Sequence, residues 1–151
     1  MCRNFLAQLR EHAESIEEKG VSLVAVVPAN SEQLKDFIDV FGPYPFPILG
    51  DPEQQAYKDL RLKKVSAVKS GKIIFKYLKE GRMREIFPKD RKQAKIVRKA
   101  MLSQDVYQLG GTWLIDTTGE IHWHHIDEEP ADHATIPAIM EALNKHAPTA
   151  P

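Results

Sequence analysis

Val21-Ser22-Leu23-Val24-Ala25-Val26-Val27 is almost unbroken apolar sequence, rich in β-branched residues, and Asn30-Ser31-Glu32-Gln33 follows within three residues. The first run reads as a strand covered on both faces, as in a parallel sheet. The second has the form of a capping box, with Asn30 as N-cap and Gln33 at the third helical position, so a helix starts at once. Leu34, Phe37, Ile38 and Phe41 give that helix an apolar face, and Gly42-Pro43 ends it. Upstream, Phe5, Leu6, Leu9, Ala13 and Ile16 recur at helical spacing, which predicts an amphipathic helix closed by a left-handed Gly20. Downstream, the prolines of Pro45-Phe46-Pro47-Ile48-Leu49 restrict it to an edge strand or a strand start. Asp51-Pro52-Glu53 then predicts a helix with Asp51 as N-cap and with Ala56, Tyr57 and Leu60 on its buried side. This order of helix, strand, helix, strand, helix is that of an α/β domain with a largely parallel sheet.

Residues 62–107 break the alternation. Ile73, Ile74, Tyr77 and Leu78 fit one helix, and Ala94, Val97 and Met101 fit a second after the Pro88-Lys89-Asp90 break, which predicts a basic, mostly helical insertion. Thr112-Trp113-Leu114-Ile115-Asp116 then reads as a buried strand and Ile121-His122-Trp123-His124-His125-Ile126 as a half-exposed one, joined by Thr117-Thr118-Gly119-Glu120 into an antiparallel hairpin. Ile136, Ile139, Met140 and Leu143 form the inner face of a closing helix, and residues 147–151 a loose tail.

The chain has 151 residues, 42% of them hydrophobic, which suits one domain with a proper core spanning residues 1–151. It has no apolar run near the ~20 residues of a membrane span and no signal-like start, and its formal net charge is zero; a soluble cytoplasmic protein is expected. A single cysteine excludes an internal disulfide framework and fits a reducing compartment. The neutral total hides an asymmetry. Residues 61–99 carry 15 Lys and Arg against Glu80, Glu85 and Asp90, a surplus of +12 balanced by −12 elsewhere. Such a block reads as the solvated face of helices or as a surface for an anionic partner.

The one cysteine, Cys2, falls at or just before the first turn of the first helix. Unpaired backbone N–H groups and the helix dipole favour an anion there, so its thiol can ionise below the ~8.5 of a free cysteine; otherwise it is simply a terminal residue. His122 and His124 share a strand face, with His125 opposite and His133 nearby, but they lack the ligand set of a zinc or copper centre, and no metal or cofactor is expected. Asp127, Glu128, Glu129 and Asp132 read as a solvated acidic loop. Neither a phosphate-cradling glycine loop nor a serine nucleophile elbow is present.

Cys2-Arg3-Asn4-Phe5-Leu6-Ala7-Gln8-Leu9-Arg10, Pro45-Phe46-Pro47-Ile48-Leu49 with Asp51-Pro52, Gln108-Leu109-Gly110-Gly111-Thr112-Trp113-Leu114-Ile115-Asp116 with Gly119, and Ala131-Asp132-His133 together resemble the peroxiredoxin-like branch of the AhpC/TSA thioredoxin-fold proteins. The resemblance implies a thioredoxin-like fold, a mixed central sheet flanked by helices. It also implies that Cys2 is the last residue of a Cys-x-x-Cys or Thr-x-x-Cys turn, a redox thiolate that attacks a peroxide or a disulfide. A central strand and the first half of that motif would precede Met1, so the expectation is a chain truncated at its N-terminus, with activity at risk. Peroxiredoxins place an arginine near the strand matching residues 112–116. Here Gly110 stands before Gly111, and Arg3 is the nearest cation in sequence. Gly110, Gly111 and Thr112 mark either the corner that substrate or a partner backbone approaches or a turn with unusual dihedrals. The expected partners are a peroxide or disulfide substrate, an external thiol such as a thioredoxin or glutathione, and a second copy pairing at exposed sheet edges. Membrane and nucleic acid are not expected. The alternative reading is a non-catalytic thioredoxin-fold module that binds an anionic partner through residues 61–99.

Overall fold

The computed structural model describes residues 2–83, 87–105 and 107–146; the side chain of Cys2 lies outside the described residues, and so does the predicted tail. The elements are α1 (Cys2–Glu17), β1 (Ala25–Val27), α2 (Ser31–Phe41), β2 (Ile48–Gly50), α3 (Gln55–Asp59), α4 (Ala67–Lys79), α5 (Arg91–Ser103), β3 (Gly111–Ile115), β4 (Ile121–Ile126) and α6 (Ile136–His146). Among the described residues no helix is long and apolar enough to cross a membrane.

The helix punctuation acts as the sequence predicts. Gly20 has φ +80° after α1. At α2 the Asn30 side chain accepts from the Gln33 N–H and the Gln33 side chain from the Asn30 N–H, both at 2.9 Å. The α3 start differs. Asp51 lies outside the helix, and residues 51–54 form a turn. The carboxylate still accepts from the N–H groups of Gln55 and Ala56, so it caps α3 from one turn upstream. The insertion holds the two expected helices, α4 capped by Ser66 and α5 by Asp90. On α4, however, Ile74 and Leu78 are exposed, and the buried residue is Tyr77.

The protein is mixed α/β, and among the described residues no single sheet joins its strands. β1 and β2 form a parallel pair, β3 and β4 an antiparallel hairpin, and the two pairs are separate sheets. Residues 21–27 are not covered on both faces either. Val21, Leu23, Ala25 and Val27 pack against the core, whereas Val24 and Val26 are 49% and 41% exposed. The run therefore alternates in burial although its composition does not. β3 is likewise half-buried, with Ile115 exposed.

The core lies between α1 and α6. Leu6, Leu9, Ala13 and Ile16 of α1 meet Ile139 and Leu143 of α6, with Phe46 and Ala134 between them. One face of each strand pair packs on this cluster through Ala25, Ile48, Leu114 and Trp123. The two sheets are thus joined by shared side-chain packing on the same helices.

Candidate functional site

α1 begins at Cys2, so the first turn of a 16-residue helix, with its unpaired N–H groups, surrounds that position. The next residues enter a groove of about 340 Å³, where Arg3 and Leu6 of α1 form one wall. Val27, the last residue of β1, and Ala29 beyond it also line the groove. Phe37 of α2 and Val97 of α5 contribute to the lining, together with Gly110, Asp127 and His133. Partial burial lowers the ionisation range of the Arg3 guanidinium, which remains a cation at neutral pH.

Glu128 and Glu129 of the acidic loop are exposed as expected, and Asp127 is the exception that corrects the reading of the loop as solvated. Asp127 is 1% exposed, the one buried charged residue among those described. Trp123, His125 and Asp127 sit two residues apart along β4 and its continuation, so they point the same way, and Trp123 already packs on the core. Asp127 is also anchored through its backbone, its N–H donating to the Gly110 carbonyl at 3.1 Å. His133 Nδ1–H donates to Asp127 Oδ2 at 2.7 Å, because a carboxylate can only accept. The imidazole stacks on Phe5, centroids 4.8 Å apart and rings 14° from parallel. Asp127 Oδ1 is buried and receives no hydrogen bond; His125 Nε2 lies 3.7 Å away. A buried carboxylate oxygen without a donor costs on the order of 1–3 kcal/mol, so its placement needs a reason beyond packing.

The loop carrying this pair is tied down. The Glu128 N–H donates to Asp132 Oδ2, Asp132 N–H to the Glu129 carbonyl, and His125 Nε2 lies 2.6 Å from the Asp132 carbonyl. From the insertion, Lys63 pairs with Glu128 and Lys69 with Glu129, and the Lys63 ammonium holds the Glu128 carboxyl below the usual carboxylate range.

The structure brings Arg3 and Gly110 together with this groove but not Gly111 or Thr112. Gly111 has no positive φ. A Cβ there would stand 2.5 Å from the Trp113 ring and 2.7 Å from the His125 carbonyl, so this glycine accommodates the protein's own hairpin. Thr112 is paired with His125 in the β3–β4 ladder. Of the histidines, His122 and His124 are exposed, and His122 Nε2 is 2.9 Å from Asp116 Oδ2 at the hairpin turn. Asp116, Glu120 and His122 offer ligand atoms within 4.8 Å of one another on the surface. Asp116 is already engaged by Thr118 and by the Glu120 N–H. The Asp127–His133 pair is the feature that sequence reasoning missed; continuing the β4 alternation by one residue beyond Ile126 would have placed Asp127 inward.

Comparison with known proteins gives the same frame as the resemblance. The chain is similar to Peroxiredoxin-like 2C of Takifugu rubripes, 23% identical over 149 residues, a match taking in 93% of this chain and 62% of that protein. It thus spans less than two thirds of that relative's length. No solved structure matches it. The profile of the AhpC/TSA antioxidant enzymes matches residues 8–129, most of the chain, and the protein therefore belongs to that family.

Proposed function

We propose that this protein is a peroxiredoxin-like thiol oxidoreductase in which Cys2 is the redox residue and the groove beside α1 receives the substrate. The observation that carries the reading is the start of α1 at the one cysteine, with the next turn forming a wall of that groove. A helix N-terminus favours the thiolate over the thiol, and Arg3 adds a partly buried cation to the same wall. The thiolate attacks the terminal oxygen of a peroxide. The S–O bond forms as the O–O bond breaks, leaving a cysteine sulfenic acid and an alcohol or water. An external thiol, a thioredoxin or glutathione, then returns the cysteine to its reduced form through a mixed disulfide, as in a reducing compartment such as the cytoplasm. A protein disulfide is the second substrate class open to the same thiolate.

The alternative, a module binding an anionic partner through residues 61–99, has less support. Lys63, Lys64, Lys69 and Lys99 of that segment are paired with Glu128, Asp105, Glu129 and the Glu32–Asp36 couple, which reduces the charge it offers.

The test is peroxide consumption with thioredoxin or glutathione as reductant, together with trapping of the sulfenic acid by dimedone. The wild-type protein is expected to turn over and to carry the adduct at Cys2, and Cys2→Ser to do neither. Equal rates for the two proteins would remove Cys2 as the site.

A further inference from the structure

We propose that His133, held by the buried carboxylate of Asp127, is the proton acceptor of the Cys2 thiol and the proton donor to the leaving oxygen. The proposal rests on the reading of Cys2 as the redox residue and assigns it a partner.

Three observations converge. Asp127 fixes the tautomer: its Oδ2 accepts from Nδ1–H at 2.7 Å, so a neutral His133 carries its acceptor lone pair on Nε2. Phe5 fixes the ring plane through the stack at 4.8 Å. Positions 2 and 5 are one turn apart on the same face of α1, so the imidazole stands beside the turn that starts with Cys2. A carboxylate buried to 99% is also the group that gains most when its histidine becomes cationic, since an imidazolium then neutralises it in a low-dielectric site. In the neutral state Asp127 is a buried anion with an unfilled Oδ1; after proton transfer it faces a full positive charge. The arrangement therefore draws the proton from the thiol towards Nε2. His133 is the catalytic residue and Asp127 a positioning residue.

The step balances. The S–H proton passes to His133 Nε2, the thiolate takes the terminal peroxide oxygen as the O–O bond breaks, and the departing alkoxide or hydroxide recovers the proton from the imidazolium. Cysteine is oxidised to sulfenic acid and the peroxide reduced. Besides Asp127, the ionisable groups around His133 are Arg3 on α1, and His125 and Asp132 on the β4–α6 side. Asp36, Lys99 and Asp105 also line the groove.

The test reads thiolate formation without peroxide: the pH dependence of Cys2 alkylation by iodoacetamide in the full chain. The wild-type protein is expected to react with a midpoint below that of a free thiol. His133→Gln should be at least tenfold slower near pH 6.5 and unchanged near pH 9.5. Asp127→Asn should fall between the two, and His133→Phe, which keeps a ring against Phe5, should match His133→Gln. Because a variant at this buried pair can fail to fold, the same question is put to the native histidine by NMR. The His133 titration midpoint should drop in Cys2→Ser, where no thiolate remains to hold the imidazolium. Folded variants that alkylate with the wild-type profile, or a His133 titration indifferent to Cys2→Ser, would overturn the proposal. A wild-type protein with this profile but no peroxidase activity would retain the pair and remove the peroxidase reading. Peroxidase activity undiminished in His133→Gln would do the reverse.

Discussion

Replacing Gly111 by alanine tests the corner that sets Gly110 and Asp127 in place. The new Cβ would stand 2.5 and 2.9 Å from two carbons of the Trp113 ring and 2.7 Å from the His125 carbonyl oxygen, all closer than real Cβ contacts come. Trp113 can give way only by turning out of its half-buried position. The His125 carbonyl is main chain in a ladder that pairs Gly111 with Ile126 and Thr112 with His125, so relief on that side opens the hairpin. Overpacking of this kind costs ~1–3 kcal/mol. Loss of one ladder hydrogen bond adds ~0.5–1.5 kcal/mol. Together they place Gly111→Ala about 2–4 kcal/mol below wild type, which lowers Tm by roughly 4–16 °C at ~2–4 °C per kcal/mol for a domain of this size. Gly71→Ala is the control of opposite sign. Gly71 lies inside α4, a Cβ there meets nothing within 4 Å, and the helix should gain ~0.5–1 kcal/mol. Urea unfolding at constant m-value gives both numbers. Gly111→Ala within ~0.5 kcal/mol of wild type, the usual scatter of a neutral surface change, would refute the account of this corner as a backbone contact.

Other outcomes follow from the same packing and electrostatics. Leu9→Ala, which opens the α1–α6 core, should lose ~2–5 kcal/mol in urea, whereas a loss below that range would mean that α1 is not packed as described. Asn30→Ala should cost ~1 kcal/mol of stability by removing the capping box, and Gln33→Ala should not add the full cost again, because the two bonds form one unit. Hydrogen bonds from Thr118, then His122, hold the Asp116 carboxyl well below the usual carboxylate range. A depressed carboxylate contributes stability above its unfolded value, near pH 4, and loses it as the pH falls through the folded value. Asp116→Asn should accordingly be less stable at neutral pH and flatten the acid limb of the stability curve below pH 4; an unchanged limb would contradict the assignment.

How much of this could be read in the sequence depended on whether the signal was local. The capping box at Asn30, the left-handed stop at Gly20, the hairpin around Gly119 and the inner faces of α1 and α6 depend on neighbouring residues, and they are found where the spacing puts them. Asp51 shows the limit of such reading. Its capping bonds are real, but a turn set by Pro52 intervenes and moves the helix downstream. Coverage of residues 21–27 is a tertiary property. Val24 and Val26 have the same composition as Val27 and differ only in which side of the strand meets α1 and α6. Asp127 was hidden for a similar reason. Set among Glu128, Glu129 and Asp132 it looks solvated, and only the strand parity inherited from Trp123 marks it as inward. The Cys2 backbone falls at a helix start, where the apolar periodicity of α1 puts it.

The separation of the strands into two ladders has a mechanical consequence. Among the described residues each strand of these ladders is bonded along one side, so backbone amides on the other side exchange with water through local fraying, while those of Leu9 and Leu143 wait for global opening. Among the described residues no ladder hydrogen bond ties the β1–β2 pair to the β3–β4 pair; Phe46, Ile48, Leu114 and Trp123 bear on the α1–α6 cluster instead. A junction of that kind resists compression well and sliding poorly, because apolar contacts have no preferred direction whereas ladder bonds do. Under shear the molecule would part along this seam, with the groove at α1 lying across it.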